Sequence, residues 1–254
     1  MSRVIVITGA SEGIGALLAQ RQAGKGDAVV LAARRREKLE KVASECAAQT
    51  LIVPTDVTKR ADIDRLRDAA LQRFGHVDVW VNNAGRGIGI RVMDLSEDDL
   101  DQMLTVNLKS AWYGMRAIIP HFQTCGQGHL INISSVLARA PLVSVRSAYS
   151  ASKAALNALT ANLRMDLRAQ YPNIHVSLVS PGPVATEFHN NALGGTPSGR
   201  GMAMQSVDDV VRVIERVIDE PAADVYTNPA SAELVQRYIR DIGAFEEELV
   251  ARTS

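Results

Sequence analysis

The stretch that most restricts the architecture of this chain is its first eighteen residues. Residues 3–8 carry the continuous run Val4-Ile5-Val6-Ile7, the pattern of a strand buried on both faces. The run passes directly into Gly9-Ala10-Ser11-Glu12-Gly13-Ile14-Gly15, after which Ile14, Leu17 and Leu18 recur at helical spacing. Glycines let a backbone turn tightly and approach a pyrophosphate. The helix that follows offers free N–H groups and the positive end of its dipole. The spacing, Gly9-x-x-x-Gly13-x-Gly15, departs from the common G-x-G-x-x-G fingerprint, but its context of strand, loop and helix is the one that gives such a motif meaning. A left-handed turn with extra glycines is the plainer alternative.

The rest of the chain repeats the alternation. Residues 28–32, 51–53, 77–81, 129–133 and 175–180 read as further apolar strands, and 224–227 as a short last one. Helical patterns occupy 36–46, 59–74, 149–171 and 207–219. Another runs from the Ser96 N-cap toward Pro120, and a final one from Ser231 to about Ile242. This order predicts an α/β fold with a parallel, doubly wound sheet. With no internal repeat, linker or shift in composition, residues 1–254 are expected to form a single domain. Residues 187–205 bring Phe188, Leu193, Met202 and Met204 among glycines and are expected to be a mobile, apolar substrate loop.

Charge and cysteine content narrow the partners. Lys plus Arg and Asp plus Glu number 28 each, so there is no basic footprint for nucleic acid. Cys46 and Cys125 match no zinc or redox spacing, and none of the five histidines suggests a metal site. The apolar start is too short for a signal peptide and no run approaches membrane-spanning length. A cytoplasmic protein without membrane contact is the expectation.

On a doubly wound sheet, ligands bind beyond the carboxyl ends of the strands. Asp56-Val57, Asn82-Asn83-Ala84-Gly85, Ser134-Ser135 and Pro181-Gly182-Pro183-Val184-Ala185-Thr186 all fall there. After the second strand, an NAD-reading fold places an acid for the ribose hydroxyls. This chain has Ala33-Arg34-Arg35-Arg36. Arg34 and Arg35 suit a 2′-phosphate, which favours NADP(H) over NAD(H). Glu12 in the glycine loop argues the other way, and the arginines also read as a solvated run. Asn107 sits among apolar helical neighbours, where its amide needs partners.

Tyr149 and Lys153, one helical turn apart, share a face. An ammonium held beside a phenol favours the phenolate and brings it toward working pH, the requirement for a tyrosine general acid or base. A surface Tyr and Lys sharing a helix is the bland alternative.

Taken together and in this order, these motifs resemble those of the short-chain dehydrogenase/reductase family, specifically its single-domain Tyr-x-x-x-Lys branch. The resemblance covers nearly the whole chain and implies a three-layer Rossmann fold with a mostly parallel seven-stranded sheet. It implies hydride transfer between a nicotinamide and a carbonyl or secondary alcohol, with NADP(H) preferred. By the same resemblance Tyr149 is the general acid/base and Lys153 lowers its pKa while binding the nicotinamide ribose. Ser135 binds the reacting oxygen, and Asn107 holds a water linking Lys153 to solvent. Gly9, Gly13 and Gly15 face the pyrophosphate, Ser11 and Ile14 also bind the cofactor, and Arg34 and Arg35 meet the 2′-phosphate. Asp56, Val57, Asn83, Ala84 and Gly85 lie on the adenosine side and its continuation. Thr186 meets the nicotinamide amide, and Pro181, Gly182 and Val184 also bind the cofactor. Dimers or tetramers built on the two apolar helices are implied as well.

Ser135 stands fourteen positions before Tyr149, one more than is usual in the family. Ser134 points the opposite way if both are extended; the following Val136 favours Ser135. A non-catalytic dinucleotide-binding protein on the same fold is the alternative function. Enoyl reduction is disfavoured by the short gap from Tyr149 to Lys153.

Overall fold

The computed structural model describes residues 2–47, 49–188, 192–195 and 204–253. Among the described residues seven strands form one sheet: β1 (Val4–Thr8), β2 (Ala28–Ala33), β3 (Thr50–Pro54), β4 (Val79–Asn82), β5 (Gly128–Ile133), β6 (Ile174–Ser180) and β7 (Asp224–Tyr226). Their order is β3-β2-β1-β4-β5-β6-β7 and every neighbouring pair is parallel. The sheet is thus parallel throughout, where the sequence led to a mostly parallel one. Chain direction across the sheet reverses between β1 and β4, which opens a crevice beyond their carboxyl ends.

Helices α1 (Gly13–Gly24), α2 (Arg36–Ser44) and α7 (Val207–Asp219) cover one face, and α3 (Arg60–Phe74), α5 (Ser110–Cys125) and α6 (Ser147–Arg168) the other. The period of two in a strand shows directly in β1. Val4 and Val6 enter the core beneath α3, α5 and α6, while Ile5 and Ile7 enter the one beneath α1 and α7. Burial on both faces is why β1 and β2 read as unbroken apolar runs. Of the remaining helices, α4 (Glu97–Leu104) leads into α5, and α8 (Pro229–Arg240) and α9 (Ile242–Thr253) follow β7.

A buried polar chain ties the central strands to the α5–α6 layer. The Trp80 indole donates to Asn82 Oδ1 at 2.8 Å, and Asn82 Nδ2 donates to Asn132 Oδ1 at 2.9 Å. Asn132 Nδ2 in turn donates to Thr160 Oγ1 at 2.9 Å, whose hydroxyl donates to the Leu156 carbonyl at 2.7 Å. Gly114 of α5 lies against this chain so closely that a Cβ there would sit 2.2 Å from Asn82 Oδ1.

Several boundaries differ from the sequence reading. The helix that begins after Ser96 does not stop at Pro120: α5 runs through it to Cys125, since burial of Ile118, Ile119 and Phe122 outweighs one missing N–H donor. The final helix is two, α8 and α9, divided at Asp241, whose carboxylate accepts from Ala244 N at 3.1 Å and starts the second. Of the expected substrate loop 187–205, residues 189–191 and 196–203, with Met202 among them, lie outside the described residues.

Candidate active site

The glycine loop is shaped by contacts that leave no room for side chains. Gly9 and Gly13 have φ of 69° and 58°, in the left-handed region. A Cβ on Gly15 would lie 2.4 Å from the Gly9 carbonyl oxygen. Asn83, after β4, fastens the loop. Its Nδ2 donates to the carbonyls of Thr8 and Gly9 at 2.9 and 3.3 Å, and its backbone N–H and that of Ala84 donate to Thr8 Oγ1 at 3.0 and 3.1 Å. The Asn83 amide is thereby turned into the loop's own backbone. Ser11 is half-buried and Ile14 packs into the core under α1. What remains is a bare backbone turn at the start of α1, a cradle fitted to the pyrophosphate of a dinucleotide.

At the end of β2, Arg34 is exposed. Glu12 reaches across from the glycine loop, accepting from Lys38 Nζ at 2.6 Å and from Arg35 Nη2 at 3.1 Å. The Lys38 hydrogen bond leads the effects that hold the Glu12 carboxyl below its ordinary range. Glu12 therefore does not stand against the arginines as a lone acid; it organises two cations beside Arg34. Asp56, after β3, accepts from the Thr58 N–H at 3.1 Å and its hydroxyl at 2.7 Å, an Asx turn, and the adjoining Val57 packs on the core.

Asn107 lies in a single π-helical turn, Thr105–Lys109, between α4 and α5. It clasps the backbone of Arg86, accepting from its N–H at 2.8 Å and donating to its carbonyl at 3.0 Å. It also donates to Ser152 Oγ of α6 at 3.2 Å. Gly85 keeps the space between: a Cβ there would be 3.1 Å from Asn107 Oδ1 and 3.6 Å from Lys153 Nζ.

Tyr149 lies in the first turn of α6 and Lys153 in the second, both buried. Of the two serines after β5, Ser134 donates to Asn157 Oδ1 at 2.5 Å and faces away. Ser135 accepts from Leu137 N–H at 3.2 Å and stands beside the Tyr149 phenol, whose ionisation it favours. The Lys153 ammonium lies 6.0 Å from the Tyr149 ring centre and donates to the Ile133 carbonyl at 2.8 Å. Burial pushes Lys153 down to about 8. The Tyr149 phenol is held above its ordinary value, also chiefly by burial, against the opposing effects of the Ser135 hydrogen bond and the positive charge of Arg146. Sequence reasoning looked to Lys153 for that charge and passed over Arg146. The available signal was a cation immediately before a helix start, where an acceptor is the rule.

The walls are apolar. Ile88, Met103 and Ala148 pack with Tyr149, joined by Leu137, Phe188 and Leu193. The Phe188 ring meets Tyr149 edge-on, 5.7 Å between centres. Leu193 pairs with the loop after β4, donating to the Gly87 carbonyl at 3.0 Å and accepting from Gly89 N–H at 2.7 Å, so this part of the expected loop lies against the site. After β6, Pro181 accepts from Val136 N–H at 2.9 Å, Gly182 N–H donates to Gln205 Oε1 at 3.3 Å, and Val184 is buried. Thr186 faces Gly13 across an open groove of about 430 Å³, which Ala185, Glu187, Met204 and Val207 also line.

Three comparisons bear on this arrangement. The family model described as short chain dehydrogenase matches residues 3–194. An oxidoreductase of Staphylococcus epidermidis is 33% identical over 211 residues, 82% of this chain and 89% of that one. An alcohol dehydrogenase from the archaeon Thermococcus sibiricus, complexed with 5-hydroxy-NADP, is 29% identical with a TM-score of 0.79, covering 89% of this chain and 96% of its own. A short chain dehydrogenase/reductase from Burkholderia phymatum, in complex with NAD, is 28% identical with a TM-score of 0.83, covering 95% and 94%. No described helix is long and apolar enough to cross a membrane. The glycine cradle, the parallel sheet that positions it and the extent of these matches agree: this chain belongs to the short-chain dehydrogenase/reductase family and is an NAD(P)-dependent oxidoreductase.

Proposed function

We propose that the chain interconverts a carbonyl and a secondary alcohol, with NADP(H) as the preferred cofactor and Tyr149 as general acid/base. The observation that carries this reading is the meeting of Ser135, Tyr149 and Lys153 beyond the end of β5. The bound nicotinamide supplies or accepts the hydride. The Ser135 hydroxyl, held by Leu137 N–H beside the Tyr149 phenol, can turn its one proton to the reacting oxygen. Tyr149 gives that oxygen its proton in reduction and takes it back in oxidation. Lys153 uses one of three donors on Ile133 and keeps others for the ribose hydroxyls. Asn107, bridging Arg86 and Ser152, fixes the floor of the site and leads outward from Lys153.

NADP(H) preference rests on Arg34 and Arg35 at the end of β2, where no acid stands in the usual ribose-binding place, and on Lys38 of α2 beside them. The apolar wall of Ile88, Met103, Phe188 and Leu193 suits a substrate with a hydrophobic body around its carbonyl. Residues 1–254 act as a single domain in this reading. Leu100, Trp112, Leu159 and Met165, exposed on the single chain, suit a homodimer or homotetramer.

The test is a panel of aromatic and aliphatic ketones, aldehydes and secondary alcohols, followed by NADPH and NADH absorbance, with Tyr149→Phe as the blank. Turnover lost in Tyr149→Phe with the melting curve unchanged is the expected result. Turnover equal to the parent's rejects the role of Tyr149. Arg34→Asp is expected to swing preference toward NADH; an unchanged NADPH/NADH ratio rejects the role of Arg34.

A further inference from the structure

We infer that Arg146 is a positioning residue for proton transfer, holding a fixed positive charge against Tyr149 while fastening the start of α6 to the loop after β4. The inference rests on the reading of Tyr149 as general acid/base.

The geometry is that of a built-in charge. Arg146 directly precedes α6 and stands three residues before Tyr149, so Arg146, Tyr149 and Lys153 follow one another along a single helix face. Its side chain points inward and the residue is only 5% exposed. Nη1 donates to the Ile88 carbonyl at 3.1 Å. The same nitrogen lies 2.6 Å from where a Cβ on Gly87 would be, and Phe188 Cε1 lies 3.0 Å from that point. Phe188 is also the ring that meets Tyr149 edge-on. Guanidinium and phenylalanine ring thus border one small volume, which the absent side chain of Gly87 keeps open, and the same ring packs on the phenol. A bridge between Ile90 and Arg146, and a 2.7 Å hydrogen bond from Ser147 Oγ to the Ile90 carbonyl, secure the same junction.

This placement works against the helix. An N-cap side chain ordinarily accepts a hydrogen bond from the first turn; a guanidinium has no acceptor, and Arg146 makes no such bond. Its charge also sits at the positive end of the dipole of α6. A local rule broken at a buried position next to the reacting group marks function rather than stability.

The charge answers a specific need. Facing Tyr149 are Arg146 from just before α6, Lys153 from α6 and the Ser135 hydroxyl from the end of β5; Ile88, Met103 and Phe188 are apolar. Glu187, beside Phe188, lines the groove toward Gly13. Lys153, pushed down to about 8, sheds its charge as the solution becomes alkaline. Arginine, although burial lowers its value, stays charged through the range in which a phenol ionises.

The test follows tyrosinate absorbance against pH, each variant being compared with the same variant carrying Tyr149→Phe so that Tyr149 alone is read. Arg146→Gln keeps a donor for Ile88 and loses the charge; Arg146→Met loses both and serves if the first does not fold. Both are expected to raise the Tyr149 midpoint by about one unit, a tenfold loss of phenolate at a given pH below it. Ser147→Ala loosens the same junction without touching the charge and is expected to leave the midpoint where it was. A parental midpoint in the Arg146 variants, or an equal rise in Ser147→Ala, overturns the assignment. Either result is distinct from failure of the catalytic reading, which shows as turnover by Tyr149→Phe.

Discussion

Lys153 and Ile133 are joined across the end of β5: the buried ammonium of one donates to the backbone carbonyl of the other at 2.8 Å. The lysine is 4% exposed, and burial lowers its value from 10.5 to about 8. The unfolded chain therefore binds more protons than the folded one between about pH 8 and 10.5. Stability contributed by this group rises with pH across that window, and the burial cost is fully present below it. Relative to Lys153→Met, the parent chain is expected to gain thermal stability between pH 7.5 and 9.5. Parallel melting temperatures over that interval would show that the ammonium is well hydrated.

Glu12 clamps Arg35 and Lys38, so a 2′-phosphate has to compete with a carboxylate for both. Glu12→Gln is expected to tighten NADPH binding by roughly 3–10-fold and to leave NADH nearly unchanged. Calorimetric titration with each cofactor gives the ratio. Equal tightening of both would trace the effect to the pyrophosphate instead.

Gly114→Ala puts a methyl group 2.2 Å from Asn82 Oδ1 and 2.8 Å from the Trp80 indole nitrogen. Forcing the buried Trp80–Asn82–Asn132 chain apart is expected to cost about 3 kcal/mol and to lower the melting temperature by roughly 5–10 °C. Gly24→Ala, whose Cβ would meet nothing within 4 Å, is the matched control.

Phe188 covers the Tyr149 ring, and burial is the largest influence raising that phenol. In Phe188→Ala, water reaches the ring, so Tyr149 is expected to ionise at lower pH than in the parent. Tyrosinate absorbance reads the shift. Movement in the opposite direction would mean that Phe188 does not exclude water there.

The sheet was legible because its strands are buried on both faces and separated by glycine, asparagine and serine turns; periodicity alone locates β1, β2, β5 and β6 within a residue or two. Less local features escaped. Pro120 marks a helix end in isolation, but tertiary burial of its neighbours carries α5 past it. The C-terminal helix α9 begins on the Asp241 cap, a short signal easily lost beside the acid run Glu246-Glu247-Glu248. In the site, the glycine cradle follows from motif spacing together with a strand end, whereas the choice of Ser135 over Ser134 rests on the Val136 that follows it, against the usual spacing to Tyr149. The turning of Asn83 into the glycine loop has no such signal, nor has the pairing of Glu12 with Lys38. Both depend on segments more than twenty residues apart, which no local pattern reports. Arg146 was hidden for another reason: arginine in a loop normally means solvent, and only the vacancy above Gly87 makes an inward course possible.

The turn Thr105–Lys109 amounts to one residue spliced into an otherwise α-helical course. Each residue of an α-helix advances its faces by about 100°, so whatever precedes the splice is out of phase with whatever follows. Met103, on the near side, packs with Tyr149, while Ala111 and Met115, beyond it, pack into the core. Excising one residue from this turn would straighten the helix and force a choice between those two alignments. The chain's reading frame of helical faces, more than any one side chain in it, is what lets a single stretch of helix serve both the core and the site.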